Sequence, residues 1–164
     1  MTLSQKLEFE VEINAPSSKF FEMFHMKPYL LPKASPSNIQ SCKLAKGEWG
    51  KVGAIVHFIY FHAERSWSAK ELVEAIDEKN NSIIFKVEEG SDKLEYYKNF
   101  KTTIQSVSKE KGSLVHWTLE YEKTEEKNSE NLQHSLMELF IALSKDIDAH
   151  LMEIESNKET LVAA

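Results

Sequence analysis

The chain has 164 residues, a formal net charge of -6, 41% hydrophobic and 28% charged residues, which is the size and balance of one globular domain. Its lysines are scattered among glutamates with no basic cluster, so nucleic acid and anionic membrane surfaces are poor partners for it. A lone cysteine, Cys42, excludes an internal disulfide framework, and no run approaches the roughly 18 apolar residues of a membrane span.

Leu7, Phe9, Val11 and Ile13 alternate with Glu8, Glu10 and Glu12, the pattern of a half-buried strand over 7–13. Asn14-Ala15-Pro16-Ser17 then predicts an N-cap with proline in the first turn of a helix carrying Phe20, Phe21, Met23 and Phe24. Pro28 ends that helix, and a second short one over 29–33 is bounded by Pro28 and Pro36. Strands are expected at 38–44, 54–61, 67–76, 82–88, 94–107 and 114–122. Turn-rich separators such as Lys79-Asn80-Asn81 and Lys111-Gly112 favour an antiparallel meander.

Between the second and third strands lies Lys46-Gly47-Glu48-Trp49-Gly50-Lys51-Val52-Gly53, with three glycines in seven residues. A phosphate-binding loop needs a lysine after the last glycine and a helix behind it; a strand follows here, so Gly47, Trp49, Gly50 and Gly53 are assigned to a hairpin loop. From Leu132 the period changes. Leu136, Leu139, Phe140, Leu143, Ile147 and Leu151 recur at three and four residues, predicting one amphipathic helix of about 25 residues. Residues 1–156 are thus one α+β domain, a seven-stranded curved antiparallel sheet wrapped around a long C-terminal helix with two short helices filling the gap, and 157–164 form a frayed tail.

The order of elements and four local motifs resemble the Bet v 1 / PR-10 superfamily, within it the major latex protein (ripening-related) branch of plants. The motifs are Gly47-Glu48-Trp49-Gly50-Lys51-Val52-Gly53, Ile76-Asp77-Glu78, Phe85-Lys86-Val87-Glu88-Glu89-Gly90 and Trp117-Thr118-Leu119-Glu120-Tyr121-Glu122-Lys123. The resemblance spans about residues 3 to 154. It implies a helix-grip fold with a large internal hydrophobic cavity that takes steroids, flavonoids, cytokinins, alkaloids or fatty acids. The gate and latch motifs of the superfamily's abscisic-acid receptors are missing: the corresponding loops read Phe61-His62-Ala63-Glu64-Arg65 and Gly90-Ser91-Asp92-Lys93-Leu94.

By alternation Val56, Phe58 and Tyr60 share a strand face, as do Ile83, Phe85 and Val87. The resemblance places Phe24, His25, Tyr29 and Leu31 near an entrance, Phe100 in the wall, and Leu136, Leu139, Phe140 and Leu143 as a helical lid. It also puts the receptors' cavity lysine at Val56, which predicts neutral or weakly polar ligands over acids, since a buried carboxylate would lack its partner.

The six histidines form no metal-binding spacing, and neither a metal nor a cofactor is expected. No nucleophile elbow or catalytic triad is present. His25, Tyr60, Glu71, Tyr96 and His116 are the groups that could supply a single acid or base. The first functional expectation is a monomeric cytoplasmic carrier of a hydrophobic small molecule in defence, stress or specialised metabolism. A cavity-based isomerase or cyclase is the alternative, and a stress or ripening protein working through protein partners is a third.

Overall fold

In the computed structural model, which describes residues 2–91, 94, 97–124 and 130–163, the strands are β1 (Thr2–Ile13), β2 (Ile39–Lys46), β3 (Ile55–His62), β4 (Arg65–Asp77), β5 (Ser82–Gly90), β6 (Tyr97–Ser108) and β7 (Ser113–Thr124). The helices are α1 (Ser17–His25), α2 (Leu31–Ala34) and α3 (Glu130–Ala163), with a 3-10 turn at Pro28–Leu30. All neighbouring strands are antiparallel in the order β1-β7-β6-β5-β4-β3-β2. The two edges are therefore β1 and β2, and the segment carrying α1 and α2 crosses from one edge to the other. Register shifts in the β2–β3, β4–β5 and β6–β7 pairs mark bulges, which bend the strands around the core.

One face of each strand turns inward. On β7 it carries Val115, Trp117, Leu119 and Tyr121, all buried, against Phe20 and Phe24 of α1 and the Leu136, Leu139, Phe140 and Leu143 stripe of α3. Trp117 holds the centre. Its ring stacks on Phe140 at 4.6 Å, meets Phe24 edge-on at 5.7 Å, and donates its indole N–H to Ser144 Oγ at 2.9 Å.

Several boundaries differ from the alternation. β1 begins at Thr2, because residues 3–6 pair through their backbone with 120–123 of β7, and that pairing needs no apolar pattern. β6 begins at Tyr97 instead of 94. Helix α3 has 34 residues and runs to Ala163, past the apolar stripe. Its last turns carry Glu153, Glu155 and Lys158, residues that favour helix without burying anything. Nor does Asn14 cap α1. Pro16 occupies the N-cap without a side-chain hydrogen bond. The backbone N–H groups of Asn14 and Ala15 instead donate to the Asp148 carboxylate of α3 at 3.0 and 2.8 Å, which ties the long helix to the start of the short one.

The three loop glycines, Gly47, Gly50 and Gly53, all have positive φ, as a tight hairpin loop requires. The position most constrained by glycine lies elsewhere. Gly112 turns β6 into β7 at φ +68°, and a Cβ there would sit 2.1 Å from the Ile13 carbonyl oxygen. Gly112→Ala is therefore expected to lose roughly 2–3 kcal/mol, combining left-handed strain with a backbone clash. Gly53→Ala, with nothing within 4 Å, should lose only the conformational part. Urea unfolding of the two variants side by side checks the difference, and equal losses would refute it.

Candidate ligand-binding site

On β4 the inward series is Ala69, Glu71 and Val73, so one carboxylate stands on an otherwise apolar face. Glu71 is 5% exposed. It lies opposite Val56 in the β3–β4 register, while Tyr60 lies opposite Trp67. Tyr60 leans back along its strand, stacks on Phe58 at 5.4 Å and on Trp67 at 4.3 Å, and donates its hydroxyl to Glu71 Oε2 at 2.6 Å. Burial pushes the Glu71 carboxyl up to about 7, although the Tyr60 hydrogen bond works in the opposite direction. The Tyr60 phenol is driven well above its ordinary value by burial and by the adjacent Glu71, so it remains a donor. Burial likewise raises the Cys42 thiol, which makes it a packed side chain and not a nucleophile.

Three spaces lie in a row beside this pair. The innermost, about 20 Å³, is lined by Phe58, Tyr60, Glu71, Phe85, Trp117 and Phe140, with Phe24 and Leu143 behind them. The next, about 10 Å³, shares Tyr60, Glu71, Thr102 and Phe140 with it and is completed by Trp67, Val87, Leu94, Phe100 and Leu136. The outermost, about 80 Å³, opens beyond Trp67, Leu94 and Leu136 between the β3–β4 turn and α3, where His62, Arg65, Leu132 and Leu139 form its walls. A single water needs about 10–15 Å³, so the two inner spaces are water-sized. The cavity that the family resemblance implies is thus narrow and partitioned. Rings from β3, β5, β7 and α3 reach across it, and Phe140 meets Tyr60 edge-on at 6.4 Å. A ligand entering from the cleft must displace the Trp67–Tyr60–Phe140 partition. At the rim the Glu138 carboxylate joins His62 Nε2 at 3.2 Å and His134 Nε2 at 2.8 Å, linking the β3–β4 turn to α3.

Of the residues that sequence brought forward, Phe24, Phe58, Tyr60, Glu71, Phe85, Val87, Phe100, Leu136, Phe140 and Leu143 line the two inner spaces. Leu136 and Leu139 line the cleft. Val56 is buried on the inner face of β3 without reaching these spaces, and Leu31 is fully buried at the start of α2. His25 and Tyr29 line none of the three spaces. The His25 ring stacks on Phe21 at 4.9 Å and turns its Nε2 to Glu78 at 3.5 Å, and Tyr29 packs on Trp49 of the glycine loop, half exposed. His116 is on the outer face of β7, with Nδ1 3.1 Å from Glu10. The face of β7 opposite His116 looks inward, with Val115, Trp117, Leu119 and Tyr121 buried on it. Tyr96 lies outside the described residues.

Sequence reasoning missed Trp67, Thr102 and Leu132. The first two were visible as members of inward series, Trp67 with Ala69 and Val73, and Thr102 with Phe100 and Ile104. The cleft itself carried no local signal, because residues far apart in the chain build it.

The profile of the Pathogenesis-related protein Bet v 1 family matches residues 2–154. The chain belongs to that family. Among relatives, the chain is 44% identical to MLP-like protein 34 of Arabidopsis thaliana over 163 residues, covering 97% of this chain but 50% of that protein. It therefore spans about half the length of that relative. With MLP-like protein 43 of Arabidopsis thaliana it is 44% identical over 158 residues, covering 94% of this chain and 97% of the relative. Its structure superimposes on the crystal structure of major latex-like protein 151 from Panax ginseng with a TM-score of 0.83 at 35% identity, over 90% of this chain and 97% of the other. The Bet v 1 fold, a seven-stranded antiparallel sheet with a long C-terminal helix and two short ones, is shared along with the sequence. Among its described residues, no helix is long and apolar enough to cross a membrane.

Proposed function

We propose that this protein is a cytoplasmic, monomeric carrier of a hydrophobic or amphipathic plant small molecule, serving defence, stress or specialised metabolism. The observation that supports it best is the row of spaces leading from the cleft beneath α3 to the Tyr60–Glu71 pair, walled by apolar and aromatic side chains with few polar groups. Binding sites for small molecules are lined in this way. The partition of rings gives the carrier a gate: the ligand enters when Trp67, Tyr60 and Phe140 turn aside.

Leu136 stands where the cleft meets the inner space. Leu136→Trp is expected to weaken displacement of a fluorescent apolar probe by 10-fold or more, while His116→Ala, on the outer face, leaves it unchanged. Equal probe affinity in the wild type and Leu136→Trp, with both folded by circular dichroism, would overturn the route. Failure of the wild type to bind any apolar probe would overturn the carrier reading.

A second reading is favoured by one observation. Glu71 titrates near neutrality inside the cavity and is hydrogen-bonded to a tyrosine, as a single general acid or base should be. In an isomerase or cyclase of alkaloid or terpenoid metabolism it would move one proton on a substrate confined by the rings. A catalyst changes the interconversion rate of an added substrate, whereas a carrier changes only its partition.

A further inference from the structure

We propose that the inner cavity, opened by the turning aside of the Trp67–Tyr60–Phe140 partition, selects an organic monocation, a ligand bearing one ammonium group on an apolar body, held by the Glu71 carboxylate and the aromatic rings around it. This rests on the carrier reading of the same cavity and names the charge of the ligand.

Glu71 lines both inner spaces. Among the described residues its hydrogen-bond partner is Tyr60, which takes Oε2. A carboxylate accepts at both oxygens, so Oε1 is left for the ligand. Among the described residues, no lysine, arginine or histidine lines either inner space. His62 and Arg65 stand in the outer cleft, on the far side of Trp67. An ionised Glu71 thus has no cation beside it among the described residues, and a buried charge without one is strongly unfavourable. A ligand ammonium would supply it.

The walls point the same way. Phe58, Tyr60, Phe85, Trp117 and Phe140 surround the inner space, and Trp67 and Phe100 the next. Aromatic faces attract cations, more strongly where water is excluded. An acid would place a second negative charge beside Glu71, and a neutral ligand would gain neither the ion pair with the carboxylate nor the cation–ring attraction. The missing lysine at position 56 explains only why acids are excluded; Glu71 adds a positive preference.

Among the described residues, the titratable groups that face Glu71 are Tyr60 from β3 and Cys42 from β2, both kept neutral by burial, and the residues lining these spaces from α1, β5, β6, β7 and α3 carry none. Entry of a cation therefore ionises one group, and the proton of Glu71 leaves to the solvent.

The test uses benzyltrimethylammonium, whose charge is permanent, its neutral carbon isostere neopentylbenzene, and phenylacetate. At pH 8 the cation should bind the wild type at least 10-fold more tightly than the isostere, and phenylacetate weakest. In Glu71→Gln that preference should fall to 3-fold or less, with affinity for the isostere retained. Calorimetry at pH 7 in buffers of different ionisation enthalpy should show about half a proton released per cation bound by the wild type, a readout that needs no variant. Isostere binding as tight as the cation, an unchanged preference in Glu71→Gln, or binding without proton release would each overturn the proposal. If a fluorescent apolar probe binds and the cation does not compete with it, the charge preference fails while the carrier reading stands. If no apolar probe binds, both fail.

Discussion

Glu71→Gln is expected to make the protein about 3 kcal/mol more stable than the wild type at pH 8 and to leave its stability at pH 4.5 nearly unchanged. Unfolded, the Glu71 carboxyl titrates at its ordinary value of 4.5; folded, burial raises it to about 7. Between those values the folded state binds more protons than the unfolded state, so stability falls as pH rises. At about 1.4 kcal/mol per unit the loss approaches 3 kcal/mol near pH 7 and stays constant above it. Glutamine keeps an acceptor for the Tyr60 hydroxyl and carries no charge, so its profile lacks this step. Glu12 and Asp77 are held below the ordinary carboxylate range, by Lys109 and by Asn80 respectively, and their contributions disappear in acid; they are common to both proteins and cancel in the difference. Urea titrations at pH 4.5, 6 and 8 measure the difference directly. Parallel profiles for the two proteins would mean that Glu71 ionises freely in the fold.

Trp117→Ala should produce the largest loss of any single truncation in the core, about 4 kcal/mol. The side chain is 1% exposed, and Phe24 rests on it from α1 and Phe140 and Ser144 from α3. With total stabilities of about 5–15 kcal/mol, that is roughly a quarter or more of the reserve of a typical domain. Trp117→Phe keeps a ring against Phe140 and leaves Ser144 Oγ donating to the Phe140 carbonyl at 2.7 Å, while it removes the indole N–H contact and part of the ring volume. Its loss should be about 1–2 kcal/mol. Guanidinium unfolding followed by far-ultraviolet circular dichroism resolves the series, and equal effects of Ala and Phe would place the main contribution in the hydrogen bond.

The strands were legible where one face is charged and the other apolar, as with Glu8, Glu10 and Glu12 against Leu7, Phe9 and Val11. They were not where backbone pairing alone decides, as at residues 3–6. Glu71 was visible as a candidate group, and its alternation with Ala69 and Val73 pointed it inward. Its partner was not visible, because Tyr60 reaches it diagonally across two strands in a register that only the assembled sheet fixes. The resemblance suggested an entrance near Phe24, His25, Tyr29 and Leu31; the cleft beyond Trp67, under Leu132 to Leu139, was not legible. Cavity width was least legible of all. It depends on how far five rings from four elements reach toward each other, and strand spacing does not encode that distance.

The seam between β1 and β7 joins residues 100 or more positions apart, from Ile13 with Ser113 to Thr2 with Thr124. Among the described residues, β7 is the only sheet neighbour of β1. During synthesis the first strand therefore waits without a partner until the seventh has been made, and a seam of such long range forms slowly. Meanwhile β1 is a row of unpaired backbone groups of the kind that recruits other chains. The glutamates at 8, 10 and 12, which make no contribution to the ligand site, put three like charges along that waiting strand. Two copies of it laid side by side would repel each other, so the charge pattern that first marked β1 as a strand also guards the nascent chain against self-association.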